Sequence, residues 1–414
     1  MKHILWINES ADRIGGCERY IEEAARDLHA RFGVRSTLLY RDLIGPINHG
    51  FARTFQKTGG GIFPLVEAGQ QVPLLSPDLI FVHRLSGVGA IRPLALAAAA
   101  HEIPLTRFFH DYQLFCPREH KYTTFGRQPC EKAVGGNCLA CLGFIRRAEN
   151  FPGIALRSIG QLQAEQRENR TLLDASIVAS AHMAREVRLH GFEAEKVHVL
   201  PLYARPDEKW AGNRERESNH LLFVGQLITG KGVDTLLHAV TLLPEVRLTL
   251  AGGGRCEAKY RRLAEQLGIQ DRVYFAGRVN PESLRDLYQR ATCVVMPSRF
   301  PEPFGLVGVE AMQYGTPVIA SGVGGMTEWL QNGETGLSIN NSEKVNDPAV
   351  LAATIERLLL DPTLAARLGV NARQHYLDRF QPEHHVRSLY SLFSHLIAAR
   401  QAASILTRYP MRKI

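Results

Sequence analysis

No stretch of this 414-residue chain approaches the 18 or more consecutive apolar residues of a membrane-spanning helix. The first residues, MKHILWINESADRIGG, hold too short an apolar core for a signal peptide. The expectation from both absences is an intracellular, cytoplasmic protein. No short-period repeat and no low-complexity tract occurs, so neither a repeat array nor a disordered tract is expected. Cysteine is sparse outside one segment: of seven, Cys17, Cys256 and Cys293 are scattered and read as small buried hydrophobes. What is present is ordinary for a globular protein, with 45% hydrophobic and 22% charged residues. The length exceeds the roughly 250 to 300 residues at which one core stops growing, so two domains are expected.

The net charge of +8 is unevenly spread. Residues 1–205 carry 25 Lys and Arg against 20 Asp and Glu, and residues 107–170 alone carry ten against six. An anionic partner for the first half and a merely solvated basic face both remain open, and an anionic membrane surface touched peripherally, at the inner face, is one such partner.

Strand-like apolar runs alternate with helical periodicity in both halves. HILWIN, DLIFVH, LTRFFH, ASIVAS and VHVL stand in the first, and HLLFVG, VRLTLAG, RVYFAG, TCVVMPS and TPVIAS in the second. Between the latter lie helices such as AKYRRLAEQLG, stopped by Gly268, and PESLRDLYQRA, opened by Pro281. This alternation predicts parallel sheets with helices on both faces. Residues 204–218 are polar, contain Pro and Gly and lack apolar periodicity, so the domains are expected at 1–205 and 206–380 with the linker between them. Residues 381–414 read as a C-terminal helix packing back toward the first domain. Ligands of two such facing domains bind at the carboxyl ends of the strands, in the cleft.

The segment PEPFGLVGVEAMQYGTPVIA, residues 301–320, turns from a strand into a helix. The backbone amides of Gly305, Leu306 and Val307 then form a helix N-terminus suited to a diphosphate. Glu310, one turn in, can accept the two hydroxyls of a ribose, and Glu302, on the loop before, can reach a sugar attached to the diphosphate. A bare pair of acids at this spacing is equally a capping charge and a solvated helix residue.

The longer segment MPSRFPEPFGLVGVEAMQYGTPVIASGVGGMTEWLQNGETG resembles the signature of the retaining glycosyltransferases of family 4, the glycosyl transferases group 1, whose GT-B fold is two facing Rossmann-like domains. LLFVGQLITGKGVDTLL resembles the family segment that binds the donor diphosphate. There Gly225 and Lys231 match, while Gln226 stands where an Arg is usual, so half of the cationic clamp is missing. LAGGG at 250–254 and SGVGG with Gly324, Gly325 and then Glu328 are similar to further strand-end loops of the family. Gly15 and Gly16 look like its Gly-Gly loop, and His110, followed by Asp111, falls where the family places a His contacting the transferred sugar. His83, ending DLIFVH, is a weaker candidate.

Four cysteines, Cys116, Cys130, Cys138 and Cys141, fall in FCPREHKYTTFGRQPCEKAVGGNCLACL, a four-cysteine insert at about 116–141 of the first domain. A C-x2-C knuckle preceded by Gly135 and Gly136 suits tetrahedral structural zinc. Reduced, unliganded thiols and an iron-sulfur cluster remain alternatives. Four Cys ligands leave no open position, so no metal is expected in catalysis.

The resemblance implies an enzyme, a hexosyltransferase-like retaining glycosyltransferase. It would move a sugar from a nucleoside diphosphate sugar to a carbohydrate or lipid-linked acceptor hydroxyl in glycan, glycolipid or glycoconjugate synthesis, with Glu302, His110 and Lys231 in catalytic roles. The alternatives are a non-catalytic sugar-nucleotide or nucleic-acid binding module and a sugar-nucleotide epimerase on the same fold. Nucleic acid is not expected, because the aromatic residues near the insert lie mostly in a strand, without a base-stacking pattern.

Overall fold

The computed structural model describes residues 1–12, 15–43, 45–125, 128–147, 154–210, 212, 215–339 and 347–408. The chain divides into two compact units: Met1–Glu119 with Glu131–Leu200 and Pro382–Ile414, and His120–Cys130 with Pro201–Gln381.

The first unit is built on strands β1 (His3–Ser10), β2 (Arg35–Asp42), β3 (Ile62–Pro64), β4 (Leu79–Val82) and β5 (Leu105–Phe109). After a short antiparallel hairpin of β6 (Ile145–Arg147) and β7 (Ile154–Leu156) come β8 (Ala175–Val178) and β9 (Val197–Val199). Among the described residues its main sheet has the order β3-β2-β1-β4-β5-β8-β9, every neighbouring pair parallel. Strands covered on both faces need apolar side chains pointing both ways. Hence Leu79–Val82 and Ile4–Ile7 are buried throughout. The reading by apolar runs missed β2, because RSTLLYRD is flanked by charge and only its centre, Ser36 to Leu39, is buried.

The second unit carries β10 (His220–Val224), β11 (Arg247–Ala251), β12 (Val273–Gly277), β13 (Cys293–Met296), β14 (Val318–Ala320) and β15 (Leu337–Ser338). Their order is β12-β11-β10-β13-β14-β15, parallel throughout. Its core joins Leu221, Phe223, Leu250, Val295 and Ile319 to helix residues such as Leu236 and Ile355. Both sheets reverse their strand order once at a parallel pair, β1 beside β4 and β10 beside β13. The loops leaving these neighbours part to opposite faces, which opens a crevice at the carboxyl ends of the strands.

Of the linker expected over 204–218, residues 211, 213 and 214 lie outside the described residues. The remainder is tied down: Ala204 N–H donates to the Phe380 carbonyl, and Arg216 donates to the carbonyls of Tyr288, Gln289, Ala291 and Tyr314 and to Thr316 Oγ1. Burial lowers the Arg216 pKa to about 10. A polar composition thus concealed an anchored segment. Among the described residues no helix is long and apolar enough to cross a membrane.

Candidate functional site

In the second unit, β10 ends at Gly225, whose φ of 149° begins the turn into the loop that carries Lys231. A Cβ on Gly252, after the neighbouring β11, would lie 1.9 Å from the Gly225 carbonyl oxygen. The two strand ends therefore close backbone against backbone, which only glycine permits. Gly232, at φ 70°, lies so near the Pro297 carbonyl that a Cβ would come within 1.9 Å of it. The loops after β10 and β13 are locked together there.

That contact places Lys231 against the second loop. Its Nζ donates to Glu302 Oε1 at 2.6 Å, and Ser298 Oγ, just past β13, donates to the same oxygen at 2.6 Å. Lys231 Nζ also lies 5.2 Å from the centroid of the Phe300 ring. Glu302 is only 5% exposed, so its charge depends on these two donors. Its backbone is fixed too: Gly325 N–H donates to the Glu302 carbonyl at 2.6 Å, and a Cβ on Gly324 would sit 2.5 Å from that carbonyl oxygen. The SGVGG loop is thereby seen to brace Glu302 from beneath.

The helix Leu306–Gln313 starts from Gly305, at φ 80°, with no side chain capping it. The amides of Leu306 and Val307 precede the first possible intrahelical bond and point out of the helix end. Trp329 fixes this terminus: it is fully buried, and its indole N–H donates to the Phe304 carbonyl at 2.8 Å. Its ring lies so close to Gly308 that a Cβ there would be 2.2 Å from a ring carbon. Glu310, half-buried, accepts from Tyr288 Oη at 2.8 Å, and Tyr288 stacks on Tyr314. Gln226 is exposed. Arg299 does not replace the missing cation, since it is buried and bonded to Asp234, the Thr229 carbonyl and Thr235 Oγ1. The second unit thus gathers Gly225, Lys231, Glu302 and the Gly305–Val307 turn around one switch point. Ser298 and Tyr288 were missed; Ser298 could have been found as the polar residue ending TCVVMPS, whereas nothing in the sequence marks Tyr288.

In the first unit, Gly15 stands before the helix Gly16–Phe32 and its N–H is held by Glu18 Oε2 at 3.1 Å. Arg13 and Ile14 of the same loop lie outside the described residues. A Cβ on Gly15 would meet only ordinary contact and one on Gly16 nothing within 4 Å, so chain packing demands neither glycine. His110, after β5, shares a hydrogen bond with His83, after β4: His83 Nδ1 and His110 Nε2 are 2.8 Å apart. Burial, with the Arg84 and Arg107 charges adding to it, pushes His110 down to about 3, and burial holds His83 well below its usual value. Tyr20 packs edge-on against His110 and bonds His385 Nε2 at 2.8 Å, while Arg84 pairs with Asp111 at 2.9 Å. His83 is the partner that orients His110, a role the sequence reading did not give it.

Cys138 is buried in the short helix Asn137–Ala140, Cys116 and Cys141 are half-buried, and Cys130 N–H donates to the Lys121 carbonyl. Among the described residues of the first unit, Cys17, His83 and His110 bring their ligand atoms within 4.8 Å of one another.

A cavity of about 670 Å³ in the second unit lies away from these residues, at the amino ends of β13 and β14, beside Thr292, Pro317, Leu358 and Val370. Its two arginines are occupied, Arg216 by the carbonyls above and Arg373 by the Gln313 carbonyl and the Trp210 ring 3.5 Å away. Its acid, Glu217, is paired with Arg247 and Arg290, and the switch point is the better candidate.

The chain is 32% identical over 266 residues to a D-inositol 3-phosphate glycosyltransferase of Acidothermus cellulolyticus, covering 57% of this chain and 58% of that one. It is 33% identical over 249 residues to one of Streptomyces avermitilis, covering 54% and 51%. The chain thus spans about half to three fifths of the curated relatives it matches. Anabaena HepE, solved in complex with UDP and glucose, superimposes with a TM-score of 0.68 at 19% identity, over 95% of this chain and 100% of that one. A sucrose-phosphate synthase from Thermosynechococcus elongatus does so with 0.66 at 22%, over 96% and 100%. These likenesses show the GT-B fold, built of two parallel-sheet Rossmann-like domains. Residues 204–375, in the second unit, match the family described as Glycosyl transferases group 1, and the chain is similar to that family through this segment.

Proposed function

We propose that this protein is a retaining glycosyltransferase that moves a sugar from a nucleoside diphosphate sugar to an acceptor hydroxyl. One observation carries the reading. Lys231, Ser298 and Glu302 meet at the β10/β13 switch point, beside the uncapped Gly305–Val307 helix terminus and with Glu310 one turn behind. Helix amides and the Lys231 ammonium stabilise the departing diphosphate. Glu310, oriented by Tyr288, holds the ribose. Glu302 positions the transferred sugar, and its buried pairing with Lys231 suits hydroxyl recognition rather than covalent attack. In the first unit, His110 is the candidate for sugar contact. The open space over Gly15 and Gly16 fits the close approach of a ligand. No step calls for a catalytic metal.

UDP-sugars are the first donors to test, because HepE was solved with UDP. Phosphorylated polyols are the first acceptors, given the names of the sequence relatives. A lipid-linked acceptor at an anionic membrane is favoured by an exposed apolar edge in the first unit. Leu139, Leu142 and Ile145 follow one another through turn hydrogen bonds, Leu156 pairs opposite Ile145, and all four are exposed. Residues 116–157 add seven Lys and Arg against three Asp and Glu.

A second reading, a non-catalytic sugar-nucleotide-binding module, is favoured by the exposed Gln226 in place of a clamp arginine. Proton NMR of the reaction with α-linked nucleoside diphosphate sugars separates the two. Transfer with retention gives a first product with the donor's α configuration. A β product contradicts retention, and donors that bind but are never consumed support the binding module.

A further inference from the structure

The first unit holds a cluster of ligating side chains that nucleotide-sugar binding leaves unexplained. Three adjacent parallel strands, β1, β4 and β5, deliver it: Cys17 stands in the helix after β1, His83 follows β4 and His110 follows β5. Cys17 and His83 are buried, and one ligand atom from each of the three residues lies within 4.8 Å of the other two.

The hydrogen bonding of this cluster is incomplete. His83 Nδ1 and His110 Nε2 share one hydrogen at 2.8 Å, and His83 Nε2 is buried without a hydrogen-bond partner. Around His83 stand the rings of Trp6, Phe81 and Phe108, which offer its Nε2 no acceptor.

We infer that Cys17, His83 and His110 form a binding site for a borderline-soft transition ion such as Zn²⁺, seated where the two imidazoles now share a hydrogen. One thiolate and two imidazoles suit zinc or its congeners and not the oxygen-seeking Mg²⁺ or Ca²⁺. Tetrahedral bonds of the usual Zn–N and Zn–S lengths place the two nitrogens about 3.3 Å apart and sulfur about 3.6 Å from each. The observed 2.8 Å pair therefore opens by about half an ångström. The shared hydrogen moves to the far nitrogen of its own ring. The one proton released is that of the Cys17 thiol, which the ion displaces on binding. Three protein ligands leave a fourth position open, so the ion is exchangeable. Occupation takes the His110 nitrogen away from any substrate, so the ion inhibits transfer; this consequence rests on the sugar-contact role proposed above for His110, whereas the site itself does not.

Titration of the full chain with Co²⁺ tests the site without reference to activity. The expected result is close to one Co²⁺ per chain, with tetrahedral visible bands and a thiolate-to-cobalt charge-transfer band. In Cys17→Ser the charge-transfer band is lost, in His83→Gln affinity falls at least tenfold, and in Cys138→Ser both are unchanged. Circular dichroism of each variant confirms that it is folded. Absence of Co²⁺ binding in the wild type, persistence of the band in Cys17→Ser, or its loss in Cys138→Ser overturns the assignment, the last by placing the metal in the four-cysteine segment. Binding at this site without inhibition leaves the site standing and removes His110 from the transfer reaction.

Discussion

Lys231 Nζ and Glu302 Oε1 are 2.6 Å apart, although 71 residues of chain separate them. Parallel pairing of β10 with β13 and the side-chain-free Gly232 against Pro297 bring the two loops that close. Lys231→Ala removes the cation proposed to face the diphosphate and leaves the buried Glu302 carboxylate with one donor fewer. The expected cost in the barrier is about 2 to 4 kcal/mol, as for loss of one preorganised transition-state donor. Steady-state kcat/KM measures it, and unchanged turnover sinks the role. Gln226→Arg should raise kcat/KM by restoring the second half of the clamp.

Tyr288 donates its hydroxyl to Glu310, so Tyr288→Phe should loosen the carboxylate without touching the nucleotide itself. The loss of one orienting hydrogen bond, about 1 kcal/mol, predicts a nucleoside diphosphate Kd about fivefold weaker with kcat nearly unchanged. Glu310→Ala weakens binding further. Isothermal titration calorimetry decides; equal affinity in wild type and Glu310→Ala removes the ribose assignment.

Gly308 touches the ring of Trp329, leaving no space for a methyl group. Gly308→Ala should therefore overpack this contact by about 1 to 3 kcal/mol and displace the helix terminus, lowering both the melting temperature and nucleotide affinity. Gly16→Ala, which meets nothing within 4 Å, should leave the melting temperature unchanged while impairing transfer if a ligand occupies that space. A stable Gly308→Ala protein with full affinity would contradict the role of the Trp329 brace.

The sequence marked both strands of each switch point through their apolar runs, and Glu302 and Glu310 through the strand-to-helix turn they flank, whereas Lys231 was marked by the family resemblance alone. It could not mark Tyr288, on a helix whose periodicity shows only amphipathicity, nor the Tyr20–His385 bond, which joins residues 365 apart. Cys17 read as a small hydrophobe, which its burial supports, yet burial alone does not say that two imidazoles stand beside it. The linker was read from composition, and composition cannot show that Arg216 has five partners.

Acid should destabilise the first unit through His110. Its folded pKa of about 3 lies below the unfolded value of about 6.5, so between these the unfolded chain binds a proton that the folded one does not. The resulting stability is fully present above about pH 6.5 and is lost as pH falls toward 3, by up to about 1.4 kcal/mol per pH unit. His110→Gln lacks this titration, so its melting temperature should fall less steeply than that of the wild type between pH 6 and 4. Parallel curves would contradict a buried neutral His110.

If the apolar edge meets a membrane, Leu139→Ser with Leu142→Ser should reduce sedimentation with anionic vesicles at least tenfold and leave transfer to a water-soluble acceptor unchanged. Equal sedimentation of variant and wild type would remove this surface.

The central claim is that Glu302 acts on the sugar while the helix terminus and Glu310 hold the nucleotide. Release of free nucleoside diphosphate from a panel of UDP-, GDP- and ADP-sugars, compared between wild type and Glu302→Gln at matched nucleotide saturation, tests it most directly. The account predicts release by the wild type from at least one donor, stimulated by acceptor, and a loss of about a hundredfold or more in Glu302→Gln with nucleotide affinity retained. Equal release by the two proteins, or none from any donor, would contradict it.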